Sequence, residues 1–468
     1  MKTDCEDEID LSCFPSLFGP ENVILHKLFR QYGYELRIAG GAVRDVLLGL
    51  APKDIDYATD ATPNQMINMF TNESIRILNR NGEAHGTVTA RINDKANFEV
   101  TTLRIDVEPD GRHTKVVFTD DWRLDAARRD LTVNSMFLSV NVDCFDDDGC
   151  PPRSETGGKS EVQVTGRLFD FFGGREDLLL RRIRFVGNPV DRIREDYLRI
   201  LRYFRFHGRL CKPENDDSHD SDILEAITQN CGGLEQIAGE RCWTELRQIL
   251  LYRSTPALFR RMREAGLFCH LGLPENADLT EMENVWRKGI LSRSPNPATC
   301  LASLLSTLDE IEAVNGRLKL SNFEATILVY IVKYRDLCVS LGSSSAALSH
   351  YKRQFLLSRE APNKIRPVLT EMMRYVCVKT DMMKEWEAWE PPKFPVNGLQ
   401  LQQAWSVNIR EMRLHLLALR TIWVDSECTL TADELLSESF REQVNTKLLN
   451  LKDADSDQMS RKVKRPRH

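Results

Sequence analysis

The spacing of apolar residues changes near residue 173, and that change constrains the fold more than any other feature of the chain. Between about residues 36 and 140, short β-branched runs alternate with glycine and polar breaks: "LRIAGG", "DIDYATD", "IRILNR", "GTVTARI", "NFEVTTLRI", "VVFTD" and "MFLSV". Runs of this length read as strands, with helices expected at "AVRDVLLG" and "TPNQMINMF". "RLFDFFGG" reads as a last strand and its turn. Beyond 173 a helical period takes over in "IREDYLRILRYFRFHGRL", "DILEAITQN", "RCWTELRQILL" and "TPALFRRMREAGL", and runs on to "SFREQVNTKLL". The chain is therefore α+β: an N-terminal part with a mixed sheet plus helices, followed by a long all-α region.

Composition narrows the function. With 468 residues there is room for more than one hydrophobic core. No apolar run approaches the roughly 18–20 residues of a membrane span. A formal charge of −6 means that any polyanion is held by a local patch, not by the protein's net field. Twelve cysteines without a CxxC pair point to reduced thiols in the cytoplasm or nucleus. The acidic start "MKTDCEDEIDLSC" is neither a secretory signal nor an Arg-rich transit peptide, so a mitochondrial form would need a targeting segment not seen here. "RKVKRPRH" reads either as a nuclear localisation signal or as a solvated tail. "NVDCFDDDGCPPRSETGGKSEVQ" and "CKPENDDSHDSD" read as surface loops, and "WEPPKFPVNG" as a joint before a C-terminal module.

Chemistry concentrates in the N-terminal part. In "APKDIDYATD", Asp54 and Asp56 flank Ile55, and on a strand their carboxylates share one face. Paired hard oxygen ligands suit Mg²⁺, which takes its remaining oxygens from water and substrate phosphates. A solvated strand end looks the same when taken alone. Upstream, "IAGGAVRDVLLG" places Gly40–Gly41 between a strand and a helix whose first turn carries Arg44. Glycines let backbone N–H groups approach a phosphate, and Arg44 adds a bidentate donor. Glu99 falls mid-strand in "NFEVTTLRID", where it either faces solvent or supplies a third acid. In "DAARRDLTVNSMF", Asp130 and Asn134 stand at i and i+4 if the segment is helical, as ligands for ribose hydroxyls or as a helix cap.

Together these stretches resemble the class II tRNA nucleotidyltransferases, the CCA-adding enzymes, within the nucleotidyltransferase/poly(A) polymerase superfamily. "GGAVRDVLLGLAPKDIDYATDATP" is similar to the family's first motif. "DGRHTKVVFTDDWRLDAARRDLTVNSMF" resembles its flexible loop and ribose motif. "FFGGREDLLLRRIRFVGNPVDRIREDYLRILRYFRF" looks like its neck and nucleotide-reading helix, and "AGERCWTELRQILL" like the next motif. "FPVNGLQL" is similar to the tail of eukaryotic members. The likeness spans roughly residues 25–440 and departs only at insertions near 143–163 and 211–222.

The resemblance implies a polymerase-beta-like nucleotidyltransferase head at 29–172 after an N-terminal extension at 1–28. A helical neck at 173–260, a body at 261–390, a tRNA-binding tail at 391–455 and a basic tail at 456–468 follow. It implies tRNA as partner, CTP and ATP as substrates, and Mg²⁺ held by Asp54 and Asp56. Gly41, Arg44, Arg129, Asp196, Arg199, Arg202 and Arg205 would contact the nucleotide, and Glu99 matches the third acidic motif.

If "RIREDYLRILRYFRF" is one helix, Ile193, Tyr197, Ile200, Leu201 and Phe204 share an apolar arc and Asp196, Arg199, Arg202 and Arg205 face the other way. Glu195 lies among them and is expected to hold Arg199 in place. An i,i+3 or i,i+4 ion pair alone explains the spacing. The resemblance implies that Asp196 and Arg199 instead read the Watson–Crick edge of the incoming base. A poly(A) polymerase of bacterial type, with Pro-Val where this chain has Tyr197–Leu198, and a non-catalytic tRNA-binding protein are the competing readings.

Overall fold

A computed structural model of the protein describes residues 7–79, 82–107, 115–143, 145–146, 164–211, 218–358 and 360–448. The basic C-terminal stretch, the first residues of the expected flexible loop, most of the insertion near 143–163 and half of that near 211–222 lie outside them. The chain forms two compact units, residues 1–279 with 312–319, and residues 280–311 with 320–468.

The first unit opens with β1 (Asp7–Asp10), α1 (Pro20–Gln31), β2 (Leu36–Ala39), α2 (Gly41–Leu47), β3 (Asp56–Thr59) and α3 (Pro63–Asn72). It continues with β4 (Arg76–Asn79), β5 (Thr87–Ile92), β6 (Ala96–Thr102), β7 (Arg104–Val107), β8 (Lys115–Phe118), α4 (Trp122–Ala127), β9 (Phe137–Val140) and β10 (Thr165–Phe169). Eight strands make a mixed sheet in the order β1-β10-β9-β2-β3-β6-β5-β4, and β7 and β8 form a separate hairpin. Every expected strand is present. β1, which closes the sheet edge against β10, was not anticipated.

Local sequence explains these elements. All four residues of β2 are buried, Arg37 among them, its guanidinium lying over the Trp122 and Phe169 rings. α3 starts on a full capping box between Thr62 and Gln65, with Pro63 at its first position. β6 buries Phe98, Val100 and Thr102 and leaves Glu99 on the open face. "NFEVTTLRI" is two strands, not one. Leu103 turns fully into a core with Ala39, Ala58, Trp122, Ala126 and Phe137, and Arg104 then pairs with Phe118 in the hairpin.

Helices follow: α5 (Gly174–Leu179), α6 (Pro189–Glu195), α7 (Leu198–Leu210), α8 (Ser221–Asn230), α9 (Gly239–Ile249), α10 (Thr255–Glu264) and α11 (Leu267–His270). The second unit is all-helical. Its longest helix, Asn322–Leu341, starts on a Ser321–Glu324 capping box. Trp405, Leu401, Leu419 and Trp423 anchor a C-terminal core beyond the expected joint, which separates helices Thr380–Ala388 and Gly398–Trp405. Among the described residues, no helix is long and apolar enough to cross a membrane.

Candidate active site

β2 and β3 run antiparallel at the centre of the sheet, and β3 lies parallel to β6. Where β2 ends, Gly40 adopts φ +64 and ψ −116, a conformation open to glycine, and caps α2. A side chain there would meet Arg129 Nη1 at 3.1 Å from its Cβ. The turn is thus closed around the guanidinium. The parallel register sets Asp56 beside Glu99, so both carboxylates point to one face of neighbouring strands.

That face forms one wall of a cleft of about 750 Å³. Of the residues expected to act, Gly40, Gly41, Arg44, Asp56, Glu99, Arg129, Asp130, Asn134, Asp196, Arg199, Arg202 and Arg205 all line it. Asp54 and Glu195 do not. Asp54 sits exposed just ahead of β3, and Ile55 between the aspartates is half-buried. Burial, and next the charge of Asp54, push the Asp56 carboxyl above its usual range, against the pull of Arg129.

The other wall is a set of arginines, each fixed by an acceptor. Arg202 Nε meets Asp130 Oδ2 at 2.6 Å, and Arg205 Nε meets Glu245 Oε2 at 2.8 Å. Arg199 donates to Glu195 Oε2 at 2.6 Å and to the Arg128 carbonyl at 2.9 Å, so Glu195 holds it as expected. Arg44, Arg202 and Arg205 also surround the Phe206 ring, at 5.0, 5.8 and 4.4 Å from its centroid. Arg44 is almost wholly buried, donating to Asn134 Oδ1 at 2.6 Å and to Asp45 Oδ1 at 3.1 and 3.0 Å. It fixes Asn134 from the floor of the cleft.

Two local expectations change. Residues 128–131 are not helical, and Asn134 ends a short 3₁₀ turn at Thr132–Asn134. Asn134 Nδ2 nevertheless reaches Asp130 Oδ1 at 3.3 Å, which links Arg44 through Asn134 and Asp130 to Arg202. Burial opposes ionisation of Asp130, but Arg202 together with the Leu131 N–H and Asn134 holds the carboxyl below its usual range. Second, "RIREDYLRILRYFRF" is two helices. Asp196 is extended, with φ −153 and ψ 105, between α6 and α7. Its Oδ1 accepts the Leu198 N–H at 3.1 Å, a side-chain bond that competes with helix continuation, and its Oδ2 meets Arg241 Nη2 at 3.1 Å. Tyr197 lays its ring on Gly233, where a Cβ would fall 2.1 Å from ring atoms. Ile193, Ile200, Leu201 and Phe204 are fully buried, as the apolar arc predicted, whereas Tyr197 is only half-buried.

The "Poly A polymerase head domain" family model matches residues 36–184, and the "Probable RNA and SrmB- binding site of polymerase A" model matches 220–279. Mouse "CCA tRNA nucleotidyltransferase 1, mitochondrial" is 43% identical over 91% of this chain and 91% of its own length. This chain belongs to the CCA tRNA nucleotidyltransferase family. The human protein of the same name is likewise 43% identical over 91% of both. The crystal structure of the Bacillus stearothermophilus CCA-adding enzyme in complex with CTP superposes with a TM-score of 0.64 at 23% identity. It covers 92% of this chain and 98% of that one, so the two share a fold.

Nucleotidyltransferases of this kind use a divalent metal, and the donor set fits one. Asp56 and Glu99, in a cleft whose arginines are all held, and Asp54 just ahead of β3 make no side-chain hydrogen bond or ion pair with a described residue. Among the described residues, no group of three or more His, Cys, Asp or Glu side chains is placed to hold a metal ion, so Asp54, Asp56 and Glu99 are not gathered into one cluster. Asp56 in the cleft, with Asp54 two residues before it, supplies carboxylate oxygens of the kind a divalent cation takes.

Several residues in the cleft wall or directly behind it were not expected from the sequence. Asp125 is fully buried and grips Arg128 at 2.7 Å and Arg129 at 3.1 Å. Burial works against its charge, but the two arginines override that and keep the carboxyl low. Its i+3 and i+4 spacing to the arginine pair was the available signal. Glu245 and Arg241 lie in the quoted "AGERCWTELRQILL". Arg209, which meets Asp45 at 3.0 Å, continues the arginine stripe one turn past Arg205.

Proposed function

We infer that this protein adds CCA to the 3′ end of tRNA, taking CTP and ATP and releasing pyrophosphate. The observation that carries this reading is Asp196. It is a carboxylate at a helix break, in the same cleft as Asp56 and Glu99, with one oxygen on a backbone N–H and the other on Arg241.

Asp54 and Asp56 would hold Mg²⁺, which when bound neutralises phosphate charge and favours ionisation of the attacking hydroxyl. Glu99 stands beside Asp56 in register, and the Gly40–Gly41 turn leaves room for a phosphate to approach the backbone. Arg129, Arg202 and Arg205 face the triphosphate from positions that their acid partners fix in advance, so little reorganisation is needed as charge builds on phosphorus. Asp130 and Asn134 present polar atoms toward the ribose. The 3′-hydroxyl of tRNA attacks the α-phosphate of the nucleotide, the bond to the β-phosphate oxygen breaks, and pyrophosphate leaves. Positioning supplies much of the rate.

Selectivity follows from hydrogen-bond signs. A carboxylate accepts from the exocyclic amino group that C and A carry, and Arg199 donates to a ring nitrogen or to the carbonyl of C. G and U present the opposite pattern at that edge. The helical segments at 173–260, 261–390 and 391–455 then serve as neck, body and tRNA-binding tail, reading tRNA by its phosphates and shape. For the compartment we propose cytoplasm and/or nucleus; the mouse and human relatives are mitochondrial by name.

The test is incubation of tRNA lacking CCA with each labelled nucleotide and Mg²⁺. Incorporation of C, C and A followed by a stop supports the reading. A long A tail would assign a poly(A) polymerase, and no incorporation of any nucleotide would leave only tRNA binding.

A further inference from the structure

Cys231 and Cys269 belong to none of the machinery above, yet both lie against Gly266. The Cys231 sulfur stands 3.8 Å from where a Cβ on Gly266 would be, and Cys269 Sγ is 3.3 Å from the Gly266 carbonyl oxygen. Both are free thiols, Cys269 exposed and Cys231 half-exposed. They sit on different elements: Cys231 opens a 3₁₀ turn at Cys231–Gln236, and Cys269 lies in α11.

That turn is also the seat of the nucleotide-reading break. Gly233, two residues after Cys231, carries the Tyr197 ring, and Tyr197 adjoins Asp196. Asn230, one residue before Cys231, accepts from Arg194 Nε of α6 at 2.9 Å. A displacement of the turn therefore reaches both helices that flank Asp196. Glycine at 233 permits the face-on contact, and the ring has no space to absorb a movement of the turn toward it.

We propose that Cys231 and Cys269 form a reversible dithiol–disulfide pair whose oxidation shifts the Cys231–Gln236 turn and impairs nucleotide selection and addition at Asp196. The oxidant is a peroxide. The exposed Cys269 thiolate attacks one peroxide oxygen, the O–O bond breaks and hydroxide leaves, giving a sulfenic acid. Cys231 then attacks that sulfur, the S–O bond breaks and water leaves. Two thiols lose two electrons, hydrogen peroxide becomes two waters, and an external dithiol reverses the step by exchange. Burial raises the Cys231 thiol above its usual range, and the neighbouring Cys269 adds to that, so the exposed Cys269 and not Cys231 meets the peroxide first.

The inference rests on the CCA-adding reading, so the experiment separates the two. Full-length protein is treated with hydrogen peroxide, alkylated and digested without reduction, and peptides are identified by mass. The same samples are assayed for CTP and ATP incorporation into tRNA lacking CCA, before and after dithiothreitol. The reduced protein's activity tests the function, and the Cys231–Cys269 peptide tests the pair without any activity. We expect that peptide in the wild type, with a loss of incorporation of roughly fivefold or more, the lower range of coupling between distinct sites. Dithiothreitol should restore the rate. Cys231→Ser and Cys269→Ser should each keep the reduced activity and escape the loss. Absence of the linked peptide overturns the pair, as does equal peroxide sensitivity in both variants. A linked protein with unchanged rate and base preference overturns the coupling.

Discussion

The two walls of the cleft treat charge in opposite ways. On the sheet wall, Asp56 and Glu99 stand side by side, with Asp54 exposed just ahead of the strand; among the described residues no cationic side chain is bonded to them, and burial together with the charge of Asp54 raises the Asp56 carboxyl. On the helix wall, Arg199, Arg202 and Arg205 are each held by a carboxylate from a different element, Glu195, Asp130 and Glu245. An uncompensated pair of acids stays unfavourable until a cation arrives, whereas a paired arginine is already oriented for an anion. The sheet wall is therefore the side that awaits its charge, and the helix wall is the side prepared in advance. Removing a residue from the first should cost turnover, and removing one from the second should cost stability or selectivity.

The largest expected effect is on the sheet wall. Asp56→Ala should slow nucleotide incorporation by about a thousandfold, the upper range for deleting one electrostatic element of a reacting site. Affinity for tRNA by gel shift should stay unchanged. Retained turnover would remove Asp56 from the metal-holding role and erase the distinction between the walls.

Next comes Asp130→Asn, which strips the charge that Arg202 faces in a buried position. Destabilisation of about 3 kcal/mol is expected, roughly a hundredfold in the folding equilibrium, measured by urea unfolding. The same acids set an acid limit. The carboxyls of Asp130 and Asp125 are lower in the folded than in the unfolded chain. Their stabilisation is present above the unfolded value of about 3.9 and is lost as pH falls through the folded values beneath it. In Asp130→Asn this part of the acid sensitivity should be weaker. An unchanged urea midpoint would mean that the pair is not a structural tie.

Asp196→Ala should lower the preference for CTP over UTP by about thirtyfold, near 2 kcal/mol, within the range of a well-placed hydrogen-bonding pair to a base. Triphosphate binding should change less. Equal selectivity in the variant would leave Asp196 as a partner of Arg241 only.

What the residues alone revealed divides along similar lines. Strands and helices were legible because they follow short spacings, and so was the arginine stripe, one helical turn apart; the two-residue spacing of Asp54 and Asp56 brought only Asp56 onto β3 and into the cleft. The break at Asp196 was not legible. Ile193, Ile200, Leu201 and Phe204 keep a helical period straight across it, and the forces that interrupt it are a carboxylate on the Leu198 N–H and a tyrosine on Gly233. β1 was missed because its partner β10 lies at the far end of the sheet-forming segment. The arginine partners were equally hidden: Arg202 finds Asp130 from 72 residues away, and Arg44 finds Asn134 from 90. Pairing at that distance is decided by the packed fold, on which local periodicity carries no information.

Glu195 is where local and tertiary pairing meet, and it offers the finest test of the two walls. It accepts from Arg199 at i+4, an ordinary helical spacing, but the helix is broken between them, so the fold and not the spacing delivers the contact. Glu195→Gln keeps an acceptor and removes the charge. Because both side chains are partly exposed, the pair is worth about 0.5–1 kcal/mol. The expected result is a twofold to fivefold rise in KM for CTP, about the same energy, with kcat little changed. Selectivity should soften less than in Asp196→Ala, since the carboxylate proposed to read the base is untouched. If kcat fell instead and KM held, Arg199 would act on the developing charge at phosphorus, and the helix wall would share the work assigned to the sheet.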